Sequence, residues 1–270
     1  MDMQVPAWSI GIFSLNILLG IGIPAALLLC CRKRHPAPIW MFFLGCGVFF
    51  VFALTLEQIV HTVVLSQPIG KMIRGNIWYY ALYGGMMAAI FEEGGRFIAM
   101  RFIMKKEHGN DNAALMYGAG HGGFEMFSIL SLGMLNNLIY AVMMNTGTAQ
   151  LLLAPLNDAM REQMNAVFTS LATTSPVVFL ISPVERLFAL LAQIGMSVFV
   201  WLSVTRKARR YMFPAALAAH FLLDFVAAVI NGLGTPIFVT EAVVLLMSVS
   251  IFLSACRLLR SERKKSITQS

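Results

Sequence analysis

Runs of apolar residues long enough to cross a lipid bilayer recur along almost the whole chain. A span needs about 20 such residues, and the sequence holds about seven candidates. They cover residues 8–31, 37–65, 77–104, 113–142, 177–204, 211–231 and 237–258. Of the 270 residues, 58% are hydrophobic and only 12% charged, with a mean hydropathy of +0.74. A soluble domain carries about 25% charged residues, and no soluble domain of useful size fits between these runs. The expected fold is an all-α membrane protein, a single polytopic helical domain over residues 1–270. The apolar stretch 77–104 nevertheless contains Glu92, Glu93 and Arg96. Each charge in the middle of a span costs roughly 2.5–3.5 kcal/mol on insertion scales, so these groups mark an ion pair, a pathway or a reaction.

The basic residues sort to one side. Arg32, Lys33 and Arg34 follow the first span, and Arg101, Lys105 and Lys106 close the third. Arg206, Lys207, Arg209 and Arg210 close the fifth, and Arg257, Arg260, Arg263, Lys264 and Lys265 follow the seventh. Only Lys71, Arg74 and Arg161 fall on the opposite side. The asymmetry predicts the amino terminus outside and the carboxyl terminus in the cytoplasm. It also accounts for the net charge of +7 without nucleic acid as a partner. Cys30, Cys31, Cys46 and Cys256 form no CxxC pair, which argues against a disulfide framework or a thiolate metal site. The first span has its positive charges after the apolar run rather than before it, so it reads as a retained anchor and not a signal peptide. Residues 144–176 are more polar. Within them Leu156, Met160, Met164 and Phe168 define one face of an amphipathic helix on the outer surface, although an ordinary connecting loop is equally compatible.

Helical spacing relates the buried ionisable groups to one another. Glu92 and Arg96 are four apart and Glu93 and Arg96 three apart, so both carboxylates can reach the guanidinium. One guanidinium leaves the second carboxylate unbalanced, and such a group holds a proton, a water or a cation. It has the properties of a general base for water activation. His121 precedes Glu125, and His220 precedes Asp224, by one helical turn each. His121 lies in GAGHGGFE, whose glycines let helices approach closely; tight packing and access to the imidazole are both consistent with them. Counted from the basic ends of their spans, Glu92, Glu93, His121, His220, Asp224 and Gln193 fall at one depth, roughly 12–20 Å in at the helical rise. A common polar cluster within residues 77–231 is the expectation. Glu57 and His61, Glu185 and Arg186, and Glu241 form a second set nearer the opposite surface, where groups reach interfacial water and serve structure or gating.

In order along the chain, EEGGR, GHGGFE and HFLLD resemble the motifs of the CPBP superfamily of intramembrane proteases. That group includes the type II CAAX prenyl endopeptidases and bacterial Abi-type proteins. The closer resemblance is to the YhfC branch of intramembrane metalloproteases, related to PrsW proteases and to the Aph scaffold subunit of gamma-secretase. It covers the chain from the second span to the sixth. The resemblance implies that Glu92 and Glu93 activate water with help from His121, and that His220 and Asp224 stabilise the oxyanion. Arg96, Glu125, Gln193, Glu185 and Arg186 would support them. Two departures matter. The CAAX enzymes carry EExxxR, one residue longer than EEGGR, and asparagine where this chain has Asp224. An ionised Asp224 would repel an oxyanion unless it is protonated, paired with His220 or bound to a metal. A histidine is also expected near Gln193.

The HExxH zinc motif is absent. His121, His220 and Glu93 would still suffice as three ligands to zinc or another divalent metal with an open position for water, and a glutamate-driven site without metal fits the same residues. The expected protein is an endopeptidase of the bacterial cytoplasmic membrane, acting on a membrane protein or peptide within the lipid bilayer. An ion- or proton-coupled transporter and a non-catalytic scaffold are the competing classes. Against the first stands the lack of an internal repeat.

Overall fold

The computed structural model describes residues 4–268, and its regular elements are helical, with no strand among the described residues. The long helices are α1 (Ala7–Arg34), α2 (Trp40–Val51), α3 (Gln58–Ser66), α4 (Pro68–Arg74), α5 (Ile77–Ile98), α6 (Asn112–Met126) and α7 (Met134–Asn145). They are followed by the short α8 (Gln150–Leu153) and by α9 (Asp158–Thr173), α10 (Pro176–Thr205), α11 (Met212–Gly232) and α12 (Ile237–Thr268). Helices satisfy their own backbone polar groups, which lipid requires of any span.

Among the described residues, six helical segments are long and apolar enough to cross a membrane. These are Ala7–Arg34, Trp40–Ser66, Asn112–Asn145, Pro176–Thr205, Lys207–Gly232 and Ile237–Lys265. They match six of the seven stretches expected from sequence. The remaining stretch, the third in order and built on α5, is not among them, because Glu92, Glu93 and Arg96 dilute its apolar character. The last helix runs on to Thr268, ten residues past the expected end of its apolar run. Two of the spanning segments contain π-helical turns, Phe52–Glu57 between α2 and α3 and Phe127–Gly133 between α6 and α7. A third, Ala99–Ile103, follows α5. Such turns interrupt the regular ladder and often accompany functional sites.

Its contacts group the chain into two compact units. The first comprises the residues up to Ile23 together with Met126–Arg186. Its core joins Phe13, Met134, Ala141, Leu153, Phe168 and Leu171. Asn16 donates to the Phe179 carbonyl at 2.8 Å, and Ser131 donates to the Ile17 carbonyl at 3.0 Å. Residues 144–176 belong to this unit. The amphipathic helix foreseen there is α9, capped by Asn157, which accepts from the Met160 amide. Its face is rotated from the expected one. Phe168 and Leu171 are buried, with Leu156 and Met164 packed beside them, whereas Met160 is half exposed.

The second unit comprises Pro24–Glu125 and the residues from Leu187 on. Two close helix contacts organise it. α11 lies antiparallel to α5: Ile77 meets Gly232, Gly85 meets the Phe221–Phe225 turn, and Phe97 meets Phe213. α2 meets α6 backbone to backbone, because Gly45 faces the Tyr117 carbonyl and Gly120 faces the Phe42 carbonyl. Small residues permit that approach. Beneath it sits an apolar core that includes Met41, Met100, Met116, Tyr117 and Trp201, all fully buried.

A methyl group added at Gly120 would strike the Phe42 carbonyl, whereas one added at Gly47 meets nothing. Gly120→Ala is therefore expected to lower stability by about 1–3 kcal/mol, and Gly47→Ala to leave it unchanged or raise it by up to about 1 kcal/mol. Thermal unfolding of both variants in detergent checks the contrast, and equal behaviour would refute the close α2–α6 contact.

Candidate functional site

α5 presents Glu92, Glu93 and Arg96 on one face, and the second unit buries all three: Arg96 and Glu93 completely and Glu92 to 7% exposure. The spacing arithmetic holds on both counts. Arg96 bonds Glu93 three residues before it, and its Nη2 lies 3.3 Å from Glu92 Oε2 four residues before it. The fork geometry of a guanidinium suits this double engagement. A third acceptor completes it. Gln193 of α10 takes a hydrogen bond from Arg96 through its side-chain oxygen, and its amide nitrogen donates to Glu92 Oε2 at 3.0 Å and to Glu125.

The histidines close the cluster from two further helices. His121 of α6 is fully buried, and its Nε2 lies 3.0 Å from Glu92 Oε2. His220 of α11 is buried too, with Nδ1 2.7 Å from Glu93 Oε1. On its other side, His220 Nε2 lies 3.5 Å from Asp224 Oδ2 and 3.9 Å from Glu92 Oε1. The sequence pairing of His220 with Asp224 is therefore present. His121, by contrast, is bonded to Glu92 rather than to Glu125 one turn on. The glycines beside His121 explain its placement, since a Cβ at Gly122 would come within 2.8 Å of Gln193 Cβ. α6 and α10 can hold the ring and the amide on the same carboxylate only because that position is bare.

Four groups from α5, α6, α10 and α11 thus meet at Glu92, as the common-depth argument anticipates. Several buried polar atoms have no hydrogen-bond partner among the described residues: Glu93 Oε2, Arg96 Nε, His121 Nδ1 and Tyr117 Oη. Buried polar atoms ordinarily find partners, and these four find none among the protein's described residues. Asp224, with 39% of its side chain exposed, marks the open side of the cluster.

Glu57 and His61 form the second expected pair, at 3.1 Å. The other imidazole nitrogen of His61 meets the Tyr83 hydroxyl at 2.9 Å, a partner on α5 that sequence reasoning missed. Glu185 and Arg186 bond each other and belong to the first unit. Tyr117 was also missed, although its place one turn before His121, immediately ahead of the glycine-rich motif, is a usable signal.

The expected metal ligands are not assembled. Imidazole and carboxylate are donors that zinc accepts. In this cluster, however, Glu93 is engaged by Arg96 and His220 while His121 is turned to Glu92. Among the described residues no group of three His, Cys, Asp or Glu is placed to hold an ion. The guanidinium of Arg96 occupies the place between the carboxylates that a cation would need. The arrangement does not fit a metal bound by His121, His220 and Glu93.

These features define a polytopic helical membrane protein with a buried acid–imidazole cluster organised around one arginine. Residues 15–245 match the family described as YhfC intramembrane metalloprotease, and the chain belongs to that family. It is 33% identical over 222 residues to the Bacillus subtilis (strain 168) protein named "Uncharacterized membrane protein YhfC", covering 77% of this chain and 84% of that one. No solved structure matches it.

Removing the cation from this cluster leaves two carboxylates buried without it. Arg96→Met is expected to destabilise the protein by about 3–5 kcal/mol. Adding Glu93→Gln should restore part of the loss, with a coupling of about 0.5–3 kcal/mol. Thermal unfolding of the four members of that cycle measures the coupling, and simple additivity would contradict the pairing.

Proposed function

We propose that the protein is an intramembrane endopeptidase that hydrolyses peptide bonds of membrane-embedded or membrane-adjacent polypeptides. The observation that carries this reading is Glu92. It is a buried carboxylate whose Oε2 is held by His121, Gln193 and Arg96 while its Oε1 faces His220 Nε2 across 3.9 Å. A water seated beside that gap can touch both groups. Membership of a family named for proteolysis supports the same class.

In this scheme Glu93 is the structural partner, fully buried between Arg96 and His220, and Glu92 is the base. Glu92 takes a proton from the water as its oxygen attacks the scissile carbonyl carbon. The His220 N–H faces the developing oxyanion, where fixed donors are most effective. Asp224 lies 3.5 Å from the same nitrogen and holds that N–H in the resting site; the bond passes from Asp224 to the oxyanion as charge develops there. Collapse breaks the C–N bond, and the proton held by Glu92 passes to the leaving amine. No step is assigned to a metal, because the residues do not fit one as they are placed.

The membrane arrangement goes with this reading. α5 is one further span, the third in chain order, made compatible with lipid by the internal pairing of its charges. The amino terminus lies outside and the carboxyl terminus in the cytoplasm, following the basic residues. The bacterial cytoplasmic membrane is the proposed location, and membrane proteins or lipid-modified peptides are the proposed substrates.

Glu92→Gln keeps the shape of the cluster and removes the base. Cleavage should fall by at least about 10²-fold, the low end for a general base, with the unfolding temperature little changed. Mass spectrometry of polypeptide termini in cells expressing wild type or Glu92→Gln reads the result. Uncleaved membrane polypeptides should accumulate in the variant. Unchanged termini together with lost assembly of a partner would point to a scaffold, and altered ion or solute flux at unchanged polypeptide sizes to a carrier.

A further inference from the structure

Outside the acid–imidazole cluster, the second unit holds a cavity of about 500 Å³ where α5, α10 and α11 end or begin. Three cations line it, Arg101, Lys207 and Arg210, and no acid does. Phe97 and Phe213, with ring centroids 4.7 Å apart, form an apolar wall. The hydroxyls of Ser203 and Thr205 are turned back onto carbonyls of their own helix, so selection of a ligand by charge falls to the three cations.

Basic residues at this end of the spans follow from membrane topology alone. Topology does not explain why some of them are paired with acids and others are not. Arg206 pairs with Asp111 at 3.1 Å, and Arg209 pairs with Glu262 at 2.9 Å. Arg101, Lys207 and Arg210, on the cavity, make no side-chain ion pair or hydrogen bond among the described residues. Three unpaired cations around one hollow call for an anion. The flank of the cavity says which kind. Beside Arg101, Ile98 and Phe102 stand 45% and 68% exposed, an apolar strip where hydrocarbon would lie. A phosphate with acyl chains attached meets both demands, and a free phosphate meets only one.

We propose that this cavity binds the headgroup of an anionic phospholipid, with the phosphate among Arg101, Lys207 and Arg210 and the glycerol region against Phe97 and Phe213. Guanidinium groups suit phosphate oxygens because they donate in pairs, and basic pockets between spans take acidic lipid headgroups on electrostatic grounds. The inference is independent of the proteolytic reading. It requires only that this end of the helices lies at a membrane surface.

The test uses the full chain in nanodiscs of phosphatidylcholine containing a minor fraction of phosphatidylglycerol. Native mass spectrometry then counts the lipid that stays with the protein. Wild type should retain phosphatidylglycerol above its share of the bilayer. Lys207→Gln with Arg210→Gln should reduce that enrichment by roughly tenfold, and Lys207→Arg, which keeps the charge and adds a paired donor, should preserve it. Thermal unfolding establishes that each variant is folded, and Arg101→Gln serves alone if the double glutamine variant is not. Equal enrichment in wild type and the glutamine variants would overturn the proposal, as would no preference over phosphatidylcholine. Inorganic phosphate in a neutral bilayer provides the other arm. If millimolar phosphate protects residues 203–213 from hydrogen exchange as well as phosphatidylglycerol does, the ligand is a soluble anion and the lipid assignment fails.

Discussion

Arg96 is the interaction on which the rest depends. A chain that places two adjacent carboxylates inside an apolar helix bundle has to neutralise them, since isolated buried charges are among the most unfavourable groups a fold can contain. Arg96 engages both, and Gln193 occupies another of its donors. That leaves each carboxylate with capacity for a histidine, and each takes one from a different helix. The guanidinium therefore does more than neutralise. By holding Glu92 and Glu93 in fixed relation, it sets where α6, α10 and α11 must present their polar groups. A lysine would supply the charge without the planar fork.

Much of this was legible from spacing alone. The periodicity of a helix places Arg96 on both glutamates, His61 on Glu57 and Asp224 on His220, and all four pairings are present. Counting residues from span ends also brings Gln193 to the cluster. Pairings between helices were not legible, because they depend on how helices rotate against one another and no single helix records that. His121 illustrates the point: its own helix offers Glu125, yet packing at Gly120 and Gly122 turns the ring toward Glu92. Tyr83 was missed for the same reason. Met160 was misplaced because the apolar face of α9 continues through Leu171 rather than back through Met160.

The family's name and the geometry of the site pull in different directions over a metal. The family is described as metalloproteases, and the residue types are ones a metal accepts. Their arrangement shares the carboxylates out between an arginine and two histidines instead of converging them on one point. A buried guanidinium between two glutamates supplies positive charge where a cation would otherwise supply it, and it leaves Glu92 the most exposed member of the pair. That distribution is why Glu92, and not Glu93, is assigned the proton transfer.

The central claim is spatial: two imidazoles from separate helices share one pair of carboxylates around Arg96. Solid-state NMR of the protein in lipid, with nitrogen-labelled histidine and carbon-labelled glutamate, measures it directly. The account predicts strong dipolar coupling from His220 Nδ1 to the Glu93 carboxyl carbon and from His121 Nε2 to that of Glu92. Loss of both couplings in a folded sample, with the rings reporting only aliphatic neighbours, would contradict it.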